Sequence, residues 1–159
     1  LHQAPQDKSR IATLVYGGFA KCAYTYQKFQ SDTERVLAVI LERDARRWLR
    51  PLAGQFNIYY RRGIDQPEYI PDFVAATEDV NLLIETKKAA DMQSDEVLVK
   101  ARAAAAWCAH ATTYAIANEA KGWRYLLIPH DAVVINATLG ALASNYWFQG
   151  EVLTTAPSA

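Results

Sequence analysis

The chain predicts an α/β fold in which a mixed central sheet is flanked by helices, and three observations carry that prediction. Ser31-Asp32-Thr33-Glu34 is an S-x-x-E capping box, and Val36, Leu37, Ile40, Leu41, Ala45 and Trp48 follow it at helical spacing. Three strand-forming runs come next, at 56–60, 69–76 and 80–87. An alanine-rich helix then separates them from the continuous apolar run 123–128. The order is αβββαβ: three sequential strands form an antiparallel meander, and the helical crossover lays a fourth strand beside them.

Each element has a local cause. Residues 1–30 form an N-terminal extension whose 11–16 run is strand-like and ends in Gly17-Gly18. The principal domain covers 31–145. Its first helix stops before Pro51, because proline cannot continue a helix. Gly63 marks the loop before the second strand. Ser94 caps the second helix, with Asp95 and Glu96 at the positive end of its dipole, and the helix runs to about Asn118. Gly122 ends the connection and Pro129 stops the following strand. A last helix is expected over 132–143, with a tail from 146 to 159. Trp48, Trp107, Trp123 and Trp147 are expected to be packing residues.

Bulk properties narrow the function. At 159 residues, the chain is long enough for one good core. Lysine and arginine balance aspartate and glutamate at 17 each, so no global basic field draws it to nucleic acid. The charge is uneven, however: Arg43, Arg46, Arg47 and Arg50 cluster, and Arg61-Arg62 follow. Cys22 and Cys108 stand alone and His2, His110 and His130 are scattered, which argues against structural zinc and for a reducing compartment. Gly17-Gly18 and Lys21 spoil any resemblance of 11–20 to a signal peptide, and 132–150 is too polar to span a bilayer. The expectation is a cytoplasmic chain with no membrane partner.

The chemistry concentrates in YIPDFVAATEDVNLLIETKK, residues 69–88. The polar Thr77-Glu78-Asp79 separates two strand runs, and a turn centred between Glu78 and Asp79 sets Asp72 opposite Glu85. Opposed residues share a face with Cβ atoms about 5 Å apart, and two bare carboxylates that close repel unless a cation sits between them. Lys87 projects from the same face, about 7 Å further along. A one-residue slip would put the two acids on opposite faces. In that case Glu85 and Lys87 are solvent-facing strand residues, and Asp72 caps a turn after Pro71.

The αβββαβ order, with P-D on the second strand and E-x-K on the third, resembles the PD-(D/E)XK nuclease superfamily. The likeness extends through VYGGFAKCAY, KFQSDTERVLAVILE, FNIYYRRG, YIPDFV, LIETKK, EVLVKARAAAAWC and WRYLLIPHD, over roughly 11–142. Together these look like the C-terminal endonuclease domain of type III restriction enzyme restriction subunits and related helicase-nuclease proteins. The resemblance implies a restriction-endonuclease-like core and a Mg²⁺-dependent endodeoxyribonuclease, with Mn²⁺ as a substitute ion. It makes Asp72 and Glu85 the metal ligands and Lys87 the catalytic lysine, and it places Glu34 as the helix acid that often completes the metal site. Duplex DNA is the implied substrate, and a modification (methyltransferase) subunit the implied source of sequence recognition. The chain has no G-x-x-x-x-G-K-[ST] phosphate loop, so either it is an excised domain or another polypeptide supplies the helicase/ATPase motor. Cutting both strands of a duplex implies pairing of two copies.

Several residues keep two readings. Glu34 either reaches back to its helix cap or joins the metal site, and Glu42, two turns on, is the fallback acid. Lys100, Arg46 and Arg47 either touch DNA phosphates or are solvated helix side chains. The Thr86 carbonyl is a further candidate ligand. His130-Asp131 resembles an acid–base pair but is better placed to cap the last helix. The rival functions are a catalytically silent DNA- or subunit-binding module of the same fold, and a nucleotide phosphoesterase, which would need a deep pocket.

Overall fold

A computed structural model describes residues 5–150. Helix α1 (Asp32–Asp44) begins where the capping box predicts: Ser31 is the N-cap and its side chain accepts from the Glu34 amide. Leu37, Ala38, Ile40 and Leu41 are its buried face. The helix ends earlier than the apolar spacing suggested. Trp48 lies instead in strand β1 (Arg47–Leu49), because the Arg46 amide bonds to the Ala76 carbonyl rather than extending the helix.

The 56–60 run does not supply the first strand of the meander. Asn57 has φ 52°, which breaks the run, and only β2 (Ile58–Tyr59) remains. It pairs with β3 (Glu68–Tyr69) in a separate two-stranded ribbon. The expected 69–76 strand is likewise interrupted at Ile70-Pro71-Asp72 and resumes as β4 (Phe73–Ala76). Strand β5 (Asn81–Lys87) follows, then α2 (Asp95–Ala117), β6 (Trp123–Pro129) and α3 (Leu139–Asn145). The four-stranded sheet has the order β1-β4-β5-β6, antiparallel except for the parallel pair β5–β6. Its elements therefore do run helix, three antiparallel strands, helix, parallel strand, with β1 in the place expected for 56–60.

The sheet is buried on both faces. Alternation sends Phe73, Ala75, Leu82, Ile84, Leu126 and Ile128 toward α1 and α3. Val74, Leu83, Tyr125 and Leu127 go to the α2 side, with Ala101, Ala104 and Cys108. Alanine on that helix face lets it approach the sheet closely.

Other expectations are corrected. Residues 8–13 form a 3₁₀ turn capped by Asp7, not a strand, and strand-like pairing is confined to bridges at Tyr16–Gln27 and Cys22–Trp48. Ile11, Tyr16 and Phe29 are buried in the main core, so the extension packs with the domain. The last helix starts seven residues later than expected. Thr138 caps it and Asp44 accepts from the Leu139 amide, while His130-Asp131 lies in a 3₁₀ turn well before it. The part of the tail within the described residues adds to the β6 edge, through Leu127 N–H to Tyr146 and Phe148 N–H to Tyr125. Trp147 there is 42 % exposed under Arg124 rather than packed in a core. The end of the tail, 151–159, lies outside the described residues. Among the described residues, no helix is long and apolar enough to cross a membrane.

A paired-carboxylate centre at the end of β4 and β5

The turn decides the register. The Thr77 hydroxyl accepts from the Asp79 and Val80 amides, and the Thr77 amide bonds to the Val80 carbonyl, centring the turn between Glu78 and Asp79. The observed ladder pairs Phe73 with Ile84 and Ala76 with Asn81 and ends there; the same register continued one step would set Asp72 opposite Glu85, but Asp72 lies in a bend and its carboxylate turns to Thr86. The slipped alternative does not occur.

Asp72 sits just where β4 ends. Beyond Phe73 the Thr86 amide has no ladder carbonyl on this side, and the Asp72 carboxylate replaces it: Oδ2 accepts from Thr86 N–H at 2.9 Å and Thr86 Oγ1 at 3.0 Å. In a strand, the carbonyl of a residue faces the same neighbour as its amide. The Thr86 carbonyl is thus directed to the Asp72 side, as a third oxygen at this end.

Glu85 is buried at 5 % exposure, and both its oxygens are held. Oε1 pairs with Lys87 Nζ at 2.6 Å, and Oε2 accepts from Tyr69 Oη at 2.9 Å. Tyr69 Oη lies 2.9 Å from Tyr125 Oη, so the carboxylate ends a buried chain of two phenols. Burial pushes the Glu85 carboxyl up to about 7, and the Asp72 charge adds to the rise; Lys87 and the Tyr69 hydroxyl oppose it. Burial depresses Lys87, but Glu85, Asp72 and Glu96 outweigh it, so its ammonium is held more firmly than usual. Lys87 is therefore a cation and donor near neutral pH, not a base.

Glu34 carries out the capping role, one residue further back than a standard box: Oε2 accepts from the Gln30 amide at 2.8 Å. The same oxygen pairs with Arg50 at 2.8 Å. Burial raises its carboxyl above the ordinary value, and Asp72 contributes, so Glu34 lies within electrostatic reach of Asp72. Among the described residues, however, no three His, Cys, Asp or Glu side chains converge to hold one ion. The centre is a pair, Asp72 and Glu85, with Glu34 behind Arg50.

Other candidates fall elsewhere. Glu42 accepts from the Ala20 and Lys21 amides and from Trp48 Nε1 at 2.7 Å, so it anchors a loop and is not the fallback ligand. Arg46 pairs with Glu78, and Arg47 lies opposite Ala76 with a bond to the Ala20 carbonyl. Both are at the far end of the sheet from the carboxylates. Lys100 is on the near side, paired with Glu96 at 2.6 Å and 5.3 Å over the Tyr60 ring. Tyr69 and Tyr125 were missed in the sequence because no local pattern ties them to Glu85; contact depends on the β2–β3 ribbon and on the β5–β6 crossover.

A cleft of about 1120 Å³ lies at the opposite end of the sheet, among Thr77, Thr112, Trp123, Gly140 and Trp147. Asp72 and Glu85 do not line it, although Tyr125, which bonds to Tyr69 behind Glu85, does. Burial and the Asp72 charge make Glu85 harder to ionise, and Lys87 already offsets part of that cost; Asp72, Glu85 and the Thr86 carbonyl are the oxygens at this end that could hold a divalent ion. No protein family, curated protein or solved structure matches this chain, and its functional reading stands on this geometry.

Proposed function

We propose that this chain is a Mg²⁺-dependent endodeoxyribonuclease domain with a PD-(D/E)XK-type core. The observation that supports the reading is that Asp72 bonds to Thr86, between Glu85 and Lys87, and bears electrostatically on Glu85, while Lys87 pairs with Glu85. Asp72, Glu85 and the Thr86 carbonyl would hold the ion, with Mn²⁺ as a substitute. When bound, Mg²⁺ neutralises phosphodiester charge and acidifies a water.

The protein's own groups do the rest. Tyr69 and Lys87 fix the two oxygens of Glu85. Thr86 fixes Oδ2 of Asp72, orienting its carboxylate across the strand end. The Lys87 ammonium, half-exposed, can donate to an attacking water or a non-bridging phosphate oxygen and offset charge that grows on the phosphoryl group. Arg50 holds Glu34 and spans to the Asp72 carbonyl at 3.4 Å, bracing α1 against the strand end. Burial of Glu85 strengthens its interactions with Lys87 and Tyr69.

Duplex DNA is the proposed substrate. A motor and a modification subunit on other polypeptides or regions, and pairing of two copies for double-strand cuts, belong to the same proposal. Incubation with plasmid DNA and Mg²⁺ tests it: nicking is expected, abolished by EDTA and by Lys87→Ala. Nicking that persists under either condition rejects the mechanism. The silent-module alternative predicts DNA binding with no nicking.

A further inference from the structure

The β2–β3 ribbon projects from the acid centre with a tip that the proposed chemistry does not use. Its base is fixed. Ile58, Tyr60 and Tyr69 are buried, Tyr60 N–H bonds to the Pro67 carbonyl, Lys100 lies over the Tyr60 ring, and Tyr69 ends on Glu85. The tip is a tight two-residue turn. Arg62 and Asp65 exchange backbone hydrogen bonds of 2.9 and 3.0 Å, and Gly63 takes φ +62°, as the first loop position of a hairpin turn favours. This turn holds Ile64 wholly in solvent, at 101 % exposure. Arg61 and Arg62 beside it are exposed and make no ion pair among the described residues; Asp65 lies across the turn from Arg62, and Glu96 feels both Arg62 and Lys87.

The isoleucine on this rigid turn, beside two arginines that make no ion pair among the described residues, is wholly exposed and supports no packing in the isolated chain. An exposed apolar side chain costs solubility, and adjacent like charges repel. Both costs vanish against one partner, a polyanion with stacked apolar rungs. The minor groove of duplex DNA is about 6 Å wide, attracts arginine, and accepts apolar wedges between base steps. Reach agrees: five residues separate Tyr69 from Ile64, about 16 Å of strand. A phosphate at Lys87 would therefore leave the tip at a neighbouring groove of the same duplex.

We infer that the 60–67 turn is a minor-groove probe, in which Arg61 and Arg62 enter the groove and Ile64 presses on a base step, positioning the scissile phosphate at Lys87. This rests on the nuclease reading. The test uses the whole chain and a duplex oligonucleotide in EDTA, followed by fluorescence anisotropy over a salt series, with 2-aminopurine in the duplex to report unstacking. Arg61→Ala/Arg62→Ala is expected to weaken binding about tenfold or more and to lower the salt slope by about 2. Ile64→Ser should weaken binding severalfold with the slope unchanged and remove the 2-aminopurine signal. Ile64 touches nothing, so that variant folds normally. Wild-type affinity, slope and signal in both variants overturn the inference while plasmid nicking by the parent chain keeps the nuclease reading. A parent chain that neither binds nor nicks DNA overturns both.

Discussion

Glu85→Gln should make this protein more stable at alkaline pH while removing a ligand of the proposed metal site. The Glu85 carboxyl is raised from 4.5 to about 7 in the fold, chiefly by burial. The folded state therefore binds a proton more tightly than the unfolded chain, and stability falls as pH rises from about 4.5 through about 7. The full cost at pH 8 is about 3 kcal/mol, against under about 1 kcal/mol at pH 5. Glutamine keeps an acceptor for Lys87 and a group for Tyr69 but carries no charge to desolvate. Urea unfolding at pH 5 and pH 8 measures the difference. The variant should exceed the parent by about 2–3 kcal/mol at pH 8 and by little at pH 5. Mg²⁺ at pH 8 should stabilise the parent and leave the variant unmoved. A parent whose stability is flat between pH 5 and 8, or a variant less stable than the parent at pH 8, refutes the picture of an ionised carboxylate held under strain for a cation.

Further outcomes follow from the same contacts. Lys87→Ala should lower plasmid nicking by about a hundredfold or more, as loss of a charge-stabilising donor does, while leaving Mn²⁺ binding in place. Tyr69→Phe removes a bond that lowers the Glu85 carboxyl, so the pH profile of nicking should move to higher pH, at about 1–3 kcal/mol of stability. Glu42→Gln should destabilise the fold through the 20–21 loop and Trp48 without altering ion affinity, in unfolding and Mn²⁺ titrations run together. With a net charge of zero, the chain should bind duplex DNA weakly and lose that binding between 50 and 200 mM salt; tight binding at high salt contradicts this.

The register of β4 on β5 was legible because its cause is local: a polar triplet between two strand runs places the turn. The same reasoning failed at the first strand. Phe56–Tyr60 alternates well, but the positive φ of Asn57 diverts it into a ribbon, and only tertiary packing reveals that. Trp48 falls in helical phase with Ala45, yet the sheet edge claims Arg46 by a ladder bond stronger than the periodic hint. The two tyrosines behind Glu85 come from a distant ribbon and a crossover of parallel register, neither of which leaves a local trace. Arg46 and Arg47 kept two readings in the sequence, DNA contact or solvated helix side chains; the antiparallel pairing with β4 places them on a strand at the end of the sheet away from Asp72.

Mn²⁺ binding followed by electron paramagnetic resonance tests the central claim most directly, because it counts ions without requiring turnover. One Mn²⁺ per chain, displaced by Mg²⁺, retained in Lys87→Ala and lost in both Asp72→Asn and Glu85→Gln, is the expected result. Equal binding in all four proteins, or none in the parent at millimolar metal, contradicts it.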